Sequence, residues 1–288
     1  MRIISDSELI INTDGSVFHL HIKPEQLSDK IIMMGDPDRV SLTASFFDSI
    51  ECNTQSREFH TITGTYKGKR ITALSHGIGP DNIDIVITEL DALANVDFET
   101  REVRKDFKQL TMVRVGTSGG LQPYCPIGSY VVAEKSIGFD GVLNYYEDRN
   151  KITLNDFETA FKQHVNWNPL HCSPYVVKAD EELVERIGHD MIKGVTISAI
   201  GFYGPQGRYV RMPLANPDLN SKIETFKYEE DMITNYEMES APLAGLGRLM
   251  GHKAMTVCTI IANRLAGESN SNYKGSIEDL IKKVLDRI

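Results

Sequence analysis

The chain has 288 residues, a formal net charge of −9, 41% hydrophobic residues and 25% charged residues. That length allows a core burying about 75% of the surface an unfolded chain exposes, and the ordinary composition predicts a globular protein. The acidic balance disfavours nonspecific binding to nucleic acid or to anionic membranes, so any phosphate site must be a local basic pocket.

Cys52, Cys125, Cys172 and Cys258 lie far apart and form no CxxC pair. Free thiols in a reducing cytoplasm are expected, rather than disulfides or zinc. The N-terminal M-R-I-I-S-D-S-E has no apolar run of signal-peptide length, and no stretch approaches the ~18 apolar residues of a membrane span. No repeat or linker divides the chain, so one domain over residues 1–288 is expected.

Val17 to Ile22 alternates like a strand or extended arm, which would point His19 and His21 the same way. Two histidines at that spacing can begin a metal site, but no carboxylate or cysteine cluster accompanies them, and no metal is expected. Ile31 to Met34 is a short apolar strand. Gly35-Asp36-Pro37-Asp38-Arg39 follows, with Asp36 an N-cap and Pro37 the first residue of a helix running through Phe47. Arg39, one turn in, can reach an anion at the helix start, or can simply be an exposed helix residue. Glu51 to Glu58, Phe59 to Tyr66 and Lys69 to Ser75 read as strands with turns at Gly64 and Gly68, Arg57 and Glu58 lying in the first. Ile83, Val86, Ile87, Leu90, Leu93 and Ala94 form a helical stripe, and residues 97–109 are charged and solvated.

Val113 to Gln122, V-R-V-G-T-S-G-G-L-Q, organises the rest. Leu110, Met112, Val113 and Val115 suit a buried strand, which Gly116, Gly119 and Gly120 then break. Glycines just past a strand end can gather backbone N–H groups into an anion-binding nest. Arg114, a charge inside the strand, needs a partner. An oxyanion would serve, and so would a local carboxylate; the two readings account for the stretch equally well.

Gly128 to Lys135 is a further strand. Residues 138–170 read as loops and a short helix, His171 to Val177 as a strand, and Asp180 to Ile192 as a helix. Val195 to Ile200 is a strand that leaves through a loop holding Phe202, Gln206 and Arg208. Asn235 to Glu239 leads into a helix with Ser240 as its cap. Ala254 to Ala262 is a strand ending at Asn263 and Arg264, and Ser276 to Ile288 is the last helix. Alternating strands and helices predict an α/β sheet with ligands at the strand ends.

Three constellations are chemically unusual: Arg39, Arg57 and Arg114 beside glycines; Gln206 and Arg208 with Phe202; and Glu237-Met238-Glu239 before a helix. Gln and Arg together can hydrogen-bond a planar group that offers acceptors and an N–H, with Phe as a stacking face. A carboxylate suits sugar hydroxyls. Anion, sugar and planar base together describe nucleoside phosphorolysis.

With F-H-L near residue 18, G-D-P-D-R, R-E-F, H-G-I-G, R-V-G-T-S-G-G, F-Y-x-x-Q-x-R, N-Y-E-M-E-S-A and A-N-R in order over residues 18–264, the chain resembles the type-I nucleoside phosphorylases, and among them the uridine phosphorylases. The resemblance implies a single-domain, three-layer α/β/α fold around a mixed, partly barrel-like central sheet. It implies phosphate held by Gly35, Arg39, Arg114 and Thr117, with Arg57 reaching in from a neighbouring subunit. Uracil would be held by Phe202, Gln206 and Arg208, with Arg264 orienting Gln206. Ribose would be held by Met238 and Glu239, with Glu237 nearby and His19 coming from the neighbour. Arg114, Arg208 and Gln206 would carry the catalysis. The implied enzyme is a pentosyltransferase of pyrimidine salvage whose substrates are uridine and phosphate. It takes no cofactor, phosphate being a co-substrate, and no nucleic-acid or membrane partner. It forms a homo-oligomer with sites shared across a two-fold dimer; dimer and hexamer both remain open, as does activity on deoxyuridine or thymidine.

Relatives with a monovalent cation at the interface use a Glu matching Glu58 and a hydroxyl where Asn82 stands here, so no cation is expected. Residues 265–275 depart from the family pattern. Two alternatives remain. A purine or broad-specificity enzyme, or a nucleosidase, could use the same fold, although the purine enzymes place an Asp where Arg264 stands, and nucleosidases need no phosphate arginines. A noncatalytic nucleoside-binding protein is the other, since fold does not fix function.

Overall fold

Apolar residues alternate along the extended stretches and recur at helical spacing between them; in the computed structural model these patterns separate into one large sheet, its covering helices and a small two-stranded ribbon of Val96–Asp97 with Glu102–Val103. Residues 2–263 and 267–288 are described. The principal elements are β1 (Lys30–Met34), α1 (Pro37–Ala44), β2 (Ser49–Ser56), β3 (Phe59–Tyr66), β4 (Lys69–Ser75), α2 (Pro80–Asn95), β5 (Thr111–Gly120), β6 (Tyr130–Gly138) and α3 (Asn155–Val165). They continue as β7 (Tyr175–Lys178), α4 (Glu181–Gly188), β8 (Ile192–Ser198), α5 (Leu219–Thr225), β9 (Asp231–Glu237), α6 (Ser240–Leu249), β10 (Lys253–Asn263) and α7 (Lys274–Arg287).

The strands follow the order β9-β8-β6-β10-β5-β1-β4-β3-β2, with β7 against β6. β9 also pairs back onto β5, Asn235 opposite Gly120 and Tyr236 opposite Gly119, which closes β9, β8, β6, β10 and β5 into a barrel. The remaining strands extend from it as an open wing. Alternation along β1 shows the layering: Ile31 and Met33 pack with α2 and α6, whereas Ile32 and Met34 pack with α1, α4 and α7. On β5, Met112 joins the first core and Val113 and Val115 the second. Arg114 therefore projects to the α2/α6 side. Leu246 of α6 is fully buried there, and truncating it to Ala would cost about 2–5 kcal/mol.

The structure corrects several expectations. Val17 forms an isolated antiparallel bridge with Ile11 and residues 18–20 are a turn; Val17, Leu20 and Ile22 are buried and His21 has φ 53, so the stretch is an anchored turn rather than a strand. Arg57 and Glu58 form the turn between β2 and β3, with Arg57 at φ 54. Gly64 lies inside β3, where a Cβ would stand 2.2 Å from the Ser49 carbonyl oxygen. The glycines after Arg114 do not break β5. Gly116 to Gly120 pair with β10, and Gly119 and Gly120 with β9 as well, so the run continues the strand into the barrel. Residues 138–170 are richer in helix than expected, and α5 and β9 were not anticipated. α4 stops at Gly188, short of Ile192.

Candidate active site

The site grows from the C-terminal ends of neighbouring strands. Arg114 on β5 is 5% exposed and lies along its own strand over Gly116, where a Cβ would stand 2.6 Å from Nη1. Glycine there makes room for the guanidinium. Its Nη1 donates to Glu237 Oε2 at 3.0 Å, its Nη2 to Glu239 Oε2, and its Nε to His76 Nε2 at 3.2 Å. Cys258 of β10 lies 3.7 Å from Nη1. The carboxylate partner is thus found, but it is a pair more than 120 residues along the chain.

Glu237 and Glu239 are each 4% exposed and differ in their surroundings. Glu237 accepts from Ser198 Oγ at 2.7 Å, Ser240 Oγ at 2.6 Å, and the backbone N–H groups of Glu239 and Ser240. It therefore caps α6, and Ser240 is that helix's first residue rather than its cap. Glu239 accepts from the N–H of Gly79, at the start of α2. Two helix N-termini thus favour negative charge here. Burial pushes the Glu239 carboxyl up, Arg114 pulls it back, and Glu237 pushes it further up. Burial works against the Arg114 charge, but Glu239 and then Glu237 more than offset it and hold the guanidinium protonated. Burial, then Arg114, push His76 well below the ordinary histidine range, so its ring is neutral.

Gly35 closes onto this cluster: a Cβ there would lie 3.0 Å from the Gly77 carbonyl oxygen and 3.8 Å from His76 Cε1. Asp36 caps α1 as expected, accepting from Asp38 N, and Arg39 lies 3.8 Å from Asp36. The Tyr273 hydroxyl, at the start of α7, accepts from Arg39 at 3.5 Å. Thr117 is half-buried, in register with Thr259.

The loop after β8 begins beside Glu237, Ala199 N donating to the Glu237 carbonyl at 2.9 Å. Within it Arg208 stacks on Phe202, 3.8 Å from the ring centroid, and donates to Gln206 Oε1 at 2.6 Å. Gln206 is 3% exposed and Phe202 51%. Asn220 of α5 ties the loop to β9, donating to the Gln206 carbonyl and accepting from Tyr236 Oη. Met238 is half-buried between the two glutamates. Arg264 lies outside the described residues. Asn263 is 6% exposed, its amide donating to the carbonyls of Gln122 and Cys125.

His19 and Arg57 form a separate group. His19 meets Glu89 of α2 through Nδ1 at 2.6 Å and its backbone N–H, and the Arg57 guanidinium lies 5.9 Å over the Phe18 ring. Among the described residues, no hydrogen bond joins either to Arg114, Glu239 or Gln206. Asn82 donates to Glu58 at 3.2 Å. The sequence reading missed His76, Ser198, Ser240 and Cys258 around Arg114. The H-G-I-G run at 76–79 was the one available signal, since it supplies both His76 and Gly79.

Residues 29–287 match the model of the phosphorylase superfamily. The chain is similar to the uridine phosphorylase of Thermococcus kodakarensis, 29% identical over 261 residues covering 88% of this chain and 80% of that protein. It is likewise 29% identical to the uridine phosphorylase of Escherichia coli, over 88% of each chain. Among solved structures it is similar to a Trypanosoma brucei nucleoside phosphorylase that shows uridine phosphorylase activity, with a TM-score of 0.89 and 27% identity, covering 97% of this chain and 98% of that one.

Proposed function

The chain belongs to the phosphorylase superfamily, and from that membership we propose that it is a uridine phosphorylase, a pentosyltransferase moving ribose from uracil to inorganic phosphate in pyrimidine salvage. One observation carries the reading. The buried Arg114–Glu239 pair and the Gln206–Arg208 pair lie on adjoining strand ends joined through Glu237 and Ala199. That proximity supports reading Arg114 as an anion donor, Glu239 as a sugar-binding carboxyl and Gln206 as a base-reading amide.

A phosphate oxygen attacks C1′ as the bond from C1′ to uracil N1 breaks; the electron pair leaves with the base, which then takes up a proton. The sugar passes through an oxocarbenium-like state, as in glycoside cleavage. Arg114, with Arg39 and Gly35, holds the nucleophile, and Thr117 adds a hydroxyl; fixed charged donors restrict its orientation. Phosphate must displace a carboxylate from an Nη group of Arg114. Glu239 is the one to move, because burial already disfavours its charge and Glu237 is held by four other donors. Released, Glu239 takes ribose hydroxyls beside Met238. Gln206 and Arg208 stabilise the charge developing on uracil. Arg208 now covers Phe202, so it swings aside when a base stacks there.

His19 and Arg57 complete the site from a neighbouring subunit of a homo-oligomer. Their grouping around Phe18, apart from the Arg114 cluster, supports that arrangement. No cofactor is part of the scheme. Among the described residues no helix is long and apolar enough to cross a membrane.

The test is phosphorolysis of uridine, cytidine and inosine at graded phosphate. Cytosine replaces the O4 acceptor and N3–H donor of uracil with a donor and an acceptor. The mismatch leaves a buried group unpaired at about 1–3 kcal/mol each, so uridine should react at least about tenfold faster than cytidine. Equal cleavage of cytidine or inosine would refute the base-site assignment.

A further inference from the structure

We propose that His76 is a positioning residue for Arg114, its Nε2 holding the guanidinium plane through Nε while Nη2 exchanges the Glu239 carboxylate for phosphate. The inference rests on the phosphate role proposed above for Arg114. Arg114 has no acceptor, so its 3.2 Å contact with Nε2 requires that nitrogen to be unprotonated and the ring proton to sit on Nδ1. Nδ1 is buried and meets only the Gly77 backbone, without the geometry of a full hydrogen bond among the described residues. The contact through Nε2 is thus the ring's better-formed one.

The three partners of Arg114 are not equivalent. Glu237 and Glu239 are anions that compete directly with a phosphate oxygen. His76 is neutral, because its burial and Arg114 disfavour a second positive charge, and it takes the one guanidinium nitrogen that a forked contact through Nη1 and Nη2 leaves over. It can stay bound while Glu239 lets go. The residue is itself rigidly set. It is 0% exposed, its backbone N–H donates to the Met34 carbonyl at 2.8 Å, and its Cε1 edge faces Gly35. The same ring thus fixes Arg114 relative to the glycine where α1 begins. Without it, Nε would be a buried unpaired donor, and the guanidinium could rotate towards whichever carboxylate remained.

The experiment compares His76→Gln with His76→Asn. A Gln Oε1 reaches the place of Nε2, whereas an Asn Oδ1 stops near the place of Nδ1. Binding of inorganic phosphate alone is measured by calorimetry, and KM for phosphate and uridine by steady-state kinetics. His76→Asn should weaken phosphate about tenfold or more, the cost of an unpaired buried donor, and leave KM for uridine within about threefold. His76→Gln should stay within about threefold of wild type for both, with an unchanged pH–rate profile, because a positioning acceptor transfers no proton. Wild-type phosphate affinity in His76→Asn, or a folded His76→Gln as weak as His76→Asn, would overturn the proposal. If the wild-type protein binds phosphate but cleaves no nucleoside, the functional reading fails while the binding comparison still decides the role of His76.

Discussion

Replacing Arg114 with Met removes the only cation among the described side chains that contact Glu237 and Glu239. Their side chains are 1% and 5% exposed, and the guanidinium lies 3.0 Å from Glu237 and closer to Glu239. Breaking a buried pair by deleting one partner costs about 3–5 kcal/mol, more than the pair is worth against an apolar replacement, because the remaining charge cannot leave. At about 2–4 °C per kcal/mol for domains somewhat smaller than this one, the melting temperature should fall by roughly 10 °C at pH 7. The loss should depend on pH in a definite sense. Arg114 is what pulls the Glu239 carboxyl down, so in the variant its folded pKa rises further above the unfolded value. A raised carboxyl costs stability above its folded pKa, and that cost fades as pH falls through it, so the gap to wild type should narrow between pH 7 and pH 5. Phosphorolysis should fall by at least about a hundredfold, as when a charge-stabilising donor is removed from other active sites. Arg114→Lys, which keeps the charge without the fork, should recover most of the stability and little of the rate. Thermal unfolding at several pH values and a uridine assay settle it. A variant that melts with wild type at pH 7, or turns over uridine at the wild-type rate, would refute the reasoning.

Arg57→Ala and Gln206→Ala, each nearly inactive alone, should complement when reassembled together. Random pairing makes about half the dimers mixed, and one intact site in each restores roughly a quarter of the sites. No recovery with mixed dimers demonstrated would place Arg57 in its own subunit's site or outside catalysis. At the surface, two hydrogen bonds from Arg287, at 2.6 and 2.9 Å, hold the Asp190 carboxyl well below its usual range. A depressed carboxyl adds stability above the unfolded pKa near 3.9 and loses it as pH falls through the folded value. The pair is largely solvated, so Asp190→Asn should cost about 1 kcal/mol or less at neutral pH and progressively less in acid, read by urea unfolding. Burial pushes the Cys258 thiol up to about 12, so it should resist alkylation until the protein unfolds, while exposed Cys172 reacts at once.

The site was legible where chemistry is costly. A charged Arg114 inside an apolar strand demands a partner whatever the fold, and Asp36-Pro37 announces a helix start by capping geometry alone. The α2 stripe was legible because Ile83, Val86, Ile87, Leu90, Leu93 and Ala94 recur on one face and join one core. β9 was not, because its barrel-facing Asn235 and Glu237 are polar and break the hydrophobic alternation. The Gly116 to Gly120 run misled for a related reason. Glycine ends a strand unless close neighbours need its missing side chain, and here those neighbours include Cys258 of the paired strand β10, far along the chain, as well as the Arg114 guanidinium. His76 carries no local signature of its role, since its partner is 38 residues away. The expectation that two subunits share the site rests on resemblance and has no signature in the residues themselves.

The most direct measurement follows the sugar. With uridine and inorganic phosphate as substrates, phosphorus NMR should show ribose 1-phosphate growing in step with uracil, and no uracil should form when phosphate is omitted. Uracil released at the same rate without phosphate, with free ribose as the other product, would contradict the account.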